Sequence, residues 1–288
     1  MKIWEALIYG LVAGLTGLLP VSFSGHAAVL QDAFALSPLT QGGGLYVRAA
    51  ITLGLSAALV LAFPGELQLT CGELARRPQR GKRARQPSPR RRAVLMGLLA
   101  LPIGLLSLIW CAAAERITRL SLIAAFFCLN GLILFAAGRP GGQKDARALM
   151  LPDALLAGAT RLAAVLPGLS PLGLTLAVCR LRDLRTDFAL RFTAMLALGF
   201  SLCEFVYRLL RAVIVGTFSA SLWLPMLVAL VASTVAGYFA LQYLKYLLHR
   251  EKLRVFSYYC WDAAVIALIL ALINAGTEGN HGKEIATR

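Results

Sequence analysis

The sequence predicts an all-α membrane protein with about six transmembrane helices and two re-entrant helical hairpins. Of its 288 residues, 58% are hydrophobic and 15% are charged, and the mean hydropathy is +0.71. A soluble domain carries about a quarter charged residues, so this chain has more apolar surface than one water-facing core can bury. The apolar residues also form stretches of about 20 residues, the length that a helix needs to cross the hydrocarbon core.

Six of these stretches are predicted to span the membrane. They cover residues 44–63, 93–111, 119–137, 188–211, 221–246 and 258–275. The six cysteines are scattered, mostly within apolar stretches, and form no C-x-x-C pair, so we expect neither a metal site nor a disulfide framework.

The formal net charge of +15 arises from basic residues between the apolar stretches, above all in the segment 65–92. The positive-inside rule places this segment in the cytoplasm. Alternation of the spans then puts the other basic segments, 138–150, 180–185 and 245–254, on the same side, and the C-terminal tail outside. This agreement favours cytoplasmic loops that contact anionic lipid headgroups over a nucleic-acid-binding surface.

Two further segments, residues 3–36 and 151–179, are too interrupted for one helix and too short for two spans. Each contains a Leu-Pro pair followed by a serine and a glycine, at positions 19, 20, 22 and 25 and again at 166, 167, 170 and 173. Both are predicted to be re-entrant helix-loop-helix hairpins, which are tolerated at membrane depth where protein or a watery cavity surrounds them.

Each hairpin is followed by three predicted spans, and an odd number of spans reverses the orientation of the second half. The sequence therefore predicts an inverted repeat of residues 1–137 and 151–275, followed by a polar tail at 276–288. In proteins built this way, the binding site lies near the mid-plane, where broken helices meet.

The hairpin tips resemble two signatures of the bacterial undecaprenyl-pyrophosphate phosphatases, the bacitracin-resistance protein family. Residues 10–26 read GLVAGLTGLLPVSFSGH, where the family pattern is close to GxxEGLTEFLPVSSSGH. Residues 166–173 read LPGLSPLG, where the family typically has LPGxSRSG, and the likeness continues to residues 258–261. The resemblance implies a protein of the bacterial plasma membrane that hydrolyses undecaprenyl pyrophosphate, the carrier lipid of cell-wall synthesis, at the outer face.

The resemblance assigns family catalysis to two glutamates, an arginine, nearby hydroxyls and a histidine, often with a divalent cation. The corresponding altered positions in this chain are Ala13 and Gly17 for the glutamates, Pro171 for the arginine, and Phe23 and Leu172 for serines. Alanine and glycine neither bind a metal ion nor accept a proton. We therefore expect no confident catalytic residue, no metal ligand and no evident cofactor.

The residues retained from the two signatures are candidates for phosphate binding. They are Ser22, Ser24, Gly25, His26, Ser170 and Gly173, and Arg161 in an arm of the second hairpin is a candidate cation. A purely structural role stays open for His26 and for Arg161. Arg48 is expected to extend to the lipid headgroups, and Glu204 and Arg208 to pair with each other. Asp153 is expected to be a helix-start or loop residue.

Two functions are compatible with these residues. The first is hydrolysis of the polyprenyl pyrophosphate carrier lipid, which the loss of the charged positions opposes. The alternative is a non-catalytic relative that binds a polyprenyl phosphate or transports it between leaflets. The expected partners are the polyprenyl phosphate or pyrophosphate lipid and the bilayer, with no nucleic acid, and a homodimer stays open.

Cysteine labelling tests the predicted topology. In a variant whose six native cysteines are replaced, a cysteine introduced into segment 65–92 should react with an impermeant maleimide only from the cytoplasmic side, because that segment is the most basic. A cysteine in the tail at 276–288 should react only from outside. Reaction of both from the same side would contradict the inverted repeat.

Overall fold

The computed structural model describes residues 1–65, 72, 88–139 and 142–286, with side chains described as far as residue 275. Helices dominate these ranges, and the predicted all-α fold is confirmed. The helices are α1 (Ile3–Gly17), α2 (Phe23–Phe34), α3 (Gly44–Ala62), α4 (Pro89–Leu105), α5 (Ser107–Ala114), α6 (Leu120–Ala137), α7 (Leu151–Ala164), α8 (Pro171–Leu181), α9 (Thr186–Val215), α10 (Trp223–His249) and α11 (Val255–Ala286).

The six predicted spans correspond to helices of the structure. Helices α3, α6, α9, α10 and α11 are each long and apolar enough to cross a membrane, and α4 and α5, bent by 41° at their junction, meet the same criteria when taken together. Pro102 lies inside α4 one turn before the break, and its missing N–H removes a helical hydrogen bond there. Of the predicted basic loop, residues 66–71 and 73–87 lie outside the described residues, and the backbone of 276–286 continues α11 into the predicted tail.

The two predicted hairpins are present as α1–α2 and α7–α8. A carboxylate on the first arm fastens each hairpin at its open end and accepts the backbone N–H at the start of its own helix. Glu5 also accepts hydrogen bonds from the backbone N–H and the hydroxyl of Ser37, which follows the first hairpin. Asp153 accepts one from the guanidinium of Arg182, 2.6 Å away, which follows the second. Of the two roles predicted for Asp153, the helix start is confirmed.

The hairpins start from opposite ends of the molecule. Arg48, near the start of α3, and Arg208, in the last third of α9, both contact Glu115, so α3 and α9 run antiparallel. The first hairpin leads into the start of α3, and the second leads into the start of α9. Their open ends are therefore on opposite sides, as insertion from the two faces of a membrane would require.

Helix packing has the same correspondence between the halves. Helix α1 packs along α10 as α7 packs along α4, while α3 lies against α9 and α6 against α11. The α1–α10 and α7–α4 contacts are counterparts of each other, and the α3–α9 and α6–α11 contacts join corresponding helices of the two halves. Two repeats related by a two-fold axis give this pattern. The division of the chain into repeats stays a prediction.

Candidate ligand-binding site

The tips of the two hairpins contact each other through reciprocal hydrogen bonds. Ser22 and Ser170 cap α2 and α8, each accepting the backbone N–H of the glycine three residues later. The Ser22 hydroxyl also accepts the N–H of Gly168 at 3.2 Å, and the Ser170 hydroxyl donates to the carbonyl of Leu19 at 3.2 Å. Both serines are fully buried, and their hydroxyls join the two tips.

The retained glycines allow the tips to approach this closely. A Cβ atom at Gly25 would lie 2.5 Å from the ring of Phe127 and 2.9 Å from the backbone of Gly168. A Cβ atom at Gly173 would lie 2.8 Å from the ring of Pro20. Because neither position has room for a side chain, both glycines are needed for contact between the hairpins.

Asn130 on α6 connects the two tips. Its amide N–H donates to the carbonyl of Pro20 at 2.9 Å, and its amide oxygen accepts the backbone N–H of Ser170 at 3.0 Å. The side chain is fully buried. Asn130 was not identified from the sequence, although a lone amide in the middle of an apolar span is a signal of a functional or structural contact.

His26 packs on α6 and α11. Its Nδ1 lies 2.7 Å from the carbonyl oxygen of Ser22, and its Nε2 lies 2.9 Å from the hydroxyl of Tyr259. The ring also meets Phe127 edge-on. Both ring nitrogens therefore have partners within the protein.

A cavity of about 300 Å³ lies beside the joined tips. It is bordered by α2, α3, α5, the two arms of the second hairpin and α9, and by the connections at 38–41 and 115–118. The predicted positions that line it are Gly17, Phe23, Ser24, Arg161, Pro171 and Leu172. Those outside the lining are Ala13, Ser22, Gly25, His26, Ser170 and Gly173. Ala13 is instead fully buried in a separate apolar cluster.

Glu204 on α9 connects two arginines at the cavity wall. The predicted pair with Arg208 is confirmed, since the Glu204 carboxylate accepts hydrogen bonds from its guanidinium at 2.6 and 2.9 Å. The other carboxylate oxygen accepts a hydrogen bond from Arg161, whose guanidinium also lies over the ring of Phe200. Arg161 is thus paired and lines the cavity at the same time.

Glu115, directly after α5, extends this network. Its carboxylate accepts a hydrogen bond from Arg208 at 2.8 Å and another from Arg211, and it lies 3.2 Å from a guanidinium nitrogen of Arg48. Burial alone would raise the pKa of the Glu115 carboxyl. The positive charges of Arg48 and Arg208 together have the larger, opposite effect and lower the pKa to about 2. We call these six residues the arginine–glutamate network, which comprises Arg48, Glu115, Arg161, Glu204, Arg208 and Arg211.

The prediction that Arg48 extends to the lipid headgroups is wrong. Its side chain is only 13% exposed and lies against Glu115, which is 7% exposed. The guanidinium therefore pairs with a buried carboxylate inside the protein instead of extending to the surface. Glu115 was not identified from the sequence, where it stands in a short connection between two spans.

Hydroxyl groups complete the polar part of the cavity wall. They belong to Ser24, Thr40, Thr52, Ser107, Thr118, Thr175 and Ser201. Ser201 lies 2.8 Å from the hydroxyl of Ser56, and Thr175 lies 2.8 Å from that of Thr160. The cavity therefore offers cations and hydroxyls, the groups that proteins use to bind phosphate oxygens.

The lining residues do not fit a divalent cation. Magnesium and calcium need several oxygen ligands that are free to coordinate, whereas Glu115 and Glu204 accept hydrogen bonds from two arginines each. A cation at either carboxylate would also be repelled by these arginines. Over the described part of the chain, no group of three or more His, Cys, Asp or Glu residues is placed to hold a metal ion.

Comparison with known proteins matches residues 6–266 to the family described as bacitracin resistance protein BacA. The undecaprenyl-diphosphatase of Methanobrevibacter smithii is 30% identical over 275 residues, which cover 93% of this chain and 98% of that protein. Those of Carboxydothermus hydrogenoformans and Kineococcus radiotolerans are each 31% identical, with 94% and 96% of this chain covered and 98% and 96% of the relatives.

Replacement of Asn130 tests the junction of the tips. Asn130→Ala leaves the Ser170 N–H without its partner and the Pro20 carbonyl with the Cys260 thiol at 3.8 Å, and a buried unsatisfied group costs about 1–3 kcal/mol. We expect a clearly lower melting temperature of the purified protein in detergent. Asn274→Ala, at an exposed contact with Asp32, is the matched control and should change it little. Equal stability of the two variants would exclude a role for Asn130 in joining the tips.

Proposed function

The chain belongs to the BacA family of multi-pass membrane proteins, and from this premise we propose a function for it. We propose that it binds the phosphate headgroup of a polyprenyl lipid in the cavity beside the hairpin tips and does not hydrolyse it. The premise supplies the lipid class, because the relatives named above are undecaprenyl-diphosphatases. The residues of this chain's own cavity supply the argument for binding and against hydrolysis.

The proposal that the cavity binds phosphate depends mainly on the arginine–glutamate network. Arg161 and Arg208 line the cavity together with the hydroxyls of Ser24 and Thr52. Guanidinium groups bind phosphate through paired, charge-assisted hydrogen bonds, which are strong where water is scarce. The remaining wall is largely apolar, with Leu55 among its residues, and suits the first part of an isoprenoid chain.

Hydrolysis is disfavoured by the residues that replace the family's catalytic set. Four of those positions, Gly17, Phe23, Pro171 and Leu172, line the cavity and provide no acid, base or cation. Phosphoryl transfer requires charge neutralisation and a positioned, activated nucleophile. Glu115 and Glu204 are held by arginines and are poorly placed to take a proton from water.

The orientation of the cavity supports access from the outer leaflet. Its wall includes the connections at 38–41 and 115–118, and the predicted topology places both on the side opposite the basic segment 65–92. Transport between leaflets is a second candidate function. It is favoured by hairpins that start from opposite ends and meet at their tips, an arrangement that suits alternating access.

Lipid binding and phosphate release can be measured on the same preparation. We expect the purified protein to bind undecaprenyl phosphate and to release no phosphate from undecaprenyl pyrophosphate, with or without Mg²⁺. Arg161→Ala should weaken binding about tenfold or more, because a hydrogen bond to a charged group contributes about 1.5–3 kcal/mol. Arg250→Ala removes a guanidinium that stacks on Tyr246, away from the cavity lining, and should leave binding unchanged. Metal-dependent phosphate release by the wild type would refute the proposal.

Restoring the family residues tests whether the missing groups account for the absence of hydrolysis. We expect phosphate release in the triple variant Ala13→Glu, Gly17→Glu, Pro171→Arg and none in any single variant. Gly17 can accept a side chain, since an added Cβ would lie 3.1 and 3.5 Å from the end of the flexible Leu55 side chain and 3.7 Å from the Cβ of Phe23. Ala13→Glu places a carboxylate in an apolar cluster and should lower stability. A folded triple variant without phosphate release would mean that the cavity has diverged beyond these positions.

A further inference from the structure

The arginine–glutamate network carries an excess of positive charge. Four guanidinium groups against two carboxylates leave a formal net charge of +2 among the described residues that form it. The six side chains are only 7–21% exposed. Uncompensated charge is costly in a buried, membrane-embedded site, so the network is electrostatically incomplete until an anion joins it.

Two of its arginines have donor capacity left. A guanidinium has five N–H donors. Within the described residues, the hydrogen bond of Arg161 goes to Glu204, and Arg48 is held only by its 3.2 Å ion pair with Glu115. Both arginines line the cavity. Both arginines therefore keep N–H donors for an anion in the cavity while their carboxylate partners stay in place.

The charge of the network matches one phosphate group. A phosphate monoester carries about −1.5 to −2 charges at pH 7, which neutralises the network. A pyrophosphate ester carries a further negative charge and a second set of oxygens. Near the hairpin tips the cavity is lined by Phe23, Pro171 and Leu172, whose side chains donate no hydrogen bonds, and by Ser24, which offers one hydroxyl. These four residues provide no cation for a second phosphate.

We infer that the arginine–glutamate network selects a phosphate monoester over a pyrophosphate ester, so that the chain is a receptor for the lipid monophosphate. This inference rests on the proposed function and adds the charge state of the ligand to it. The selection is electrostatic: a monoester leaves the occupied site neutral, and a pyrophosphate leaves it negative. Free inorganic phosphate shares the same chemistry, and only the apolar wall distinguishes the lipid from it.

The experiment compares the affinities of farnesyl phosphate, farnesyl pyrophosphate and inorganic phosphate for the purified full-length protein in detergent. We expect farnesyl phosphate to bind about tenfold more tightly than farnesyl pyrophosphate, a difference of about 1.4 kcal/mol. Inorganic phosphate should bind more weakly than farnesyl phosphate, because it gains nothing from the apolar wall. Equal or tighter binding of the pyrophosphate would overturn the inference.

Variants that change the charge of the network sharpen this test. Glu204→Gln keeps the shape of the side chain and raises the net charge to +3, so the preference for the monoester should disappear or reverse. Arg211→Gln lowers the charge to +1 from outside the cavity lining and should weaken pyrophosphate binding more than monoester binding. The two variants are independent tests, so one of them suffices if the other does not fold. Glu251→Gln makes the same acid-to-amide change at an exposed partner of Arg180 and should leave the ratio unchanged.

The outcomes separate the inference from the proposed function. If neither farnesyl ester binds, the proposed function fails and the inference fails with it. If both bind equally in the wild type and in Glu204→Gln, lipid binding stands and the charge selection is overturned. If inorganic phosphate binds as tightly as farnesyl phosphate, the ligand is free phosphate rather than a lipid, and the inference is overturned in that form.

Discussion

The junction of the two hairpin tips is the contact on which the rest of the structure depends. A helix interrupted at membrane depth exposes backbone N–H and C=O groups where no water can satisfy them. Here each tip supplies the missing partners of the other, through Ser22 to Gly168 and Ser170 to Leu19, and Asn130 bonds to both tips. With the tips joined, the hairpins that start from opposite ends of the molecule are held in one arrangement, and the cavity forms beside them.

Spans and hairpins could be predicted from the sequence because they depend on local properties. Apolar length defined the six spans, and Leu-Pro pairs followed by serine and glycine defined the hairpins. The arginine–glutamate network could not be found this way. Arg48 and Glu115 are far apart in the chain and are brought together only by the packing of separate helices. For the same reason the Glu204–Arg208 pair, four residues apart on one helix, was the one part of the network that the sequence predicted.

The retained signature residues have a structural explanation that the sequence alone could not supply. The candidates for phosphate binding included Ser22, Ser170, Gly25 and Gly173. The hydroxyls of the two serines form hydrogen bonds between the tips, and the two glycines leave room for the tips to meet. Such residues are required for the fold whether or not a reaction takes place. Gly17 and Pro171 make none of the hydrogen bonds of that junction and instead line the cavity. A signature that combines both kinds of residue can therefore keep its fold-forming half while the other half changes.

Under the proposed function, the network would let the cavity bind phosphate without the groups that act on it. Buried ion pairs contribute little net stability, since desolvation offsets much of their attraction, so stability alone does not account for six charged side chains here. Their excess of guanidinium groups is explained if an anion completes the site. Arg48 on α3 and Arg208 on α9 would hold a phosphate from the cavity wall together with Arg161 on α7, the first arm of the second hairpin. None of these three arginines stands at a catalytic position of the family signatures, so under the proposed function binding and chemistry depend on different residues of one fold.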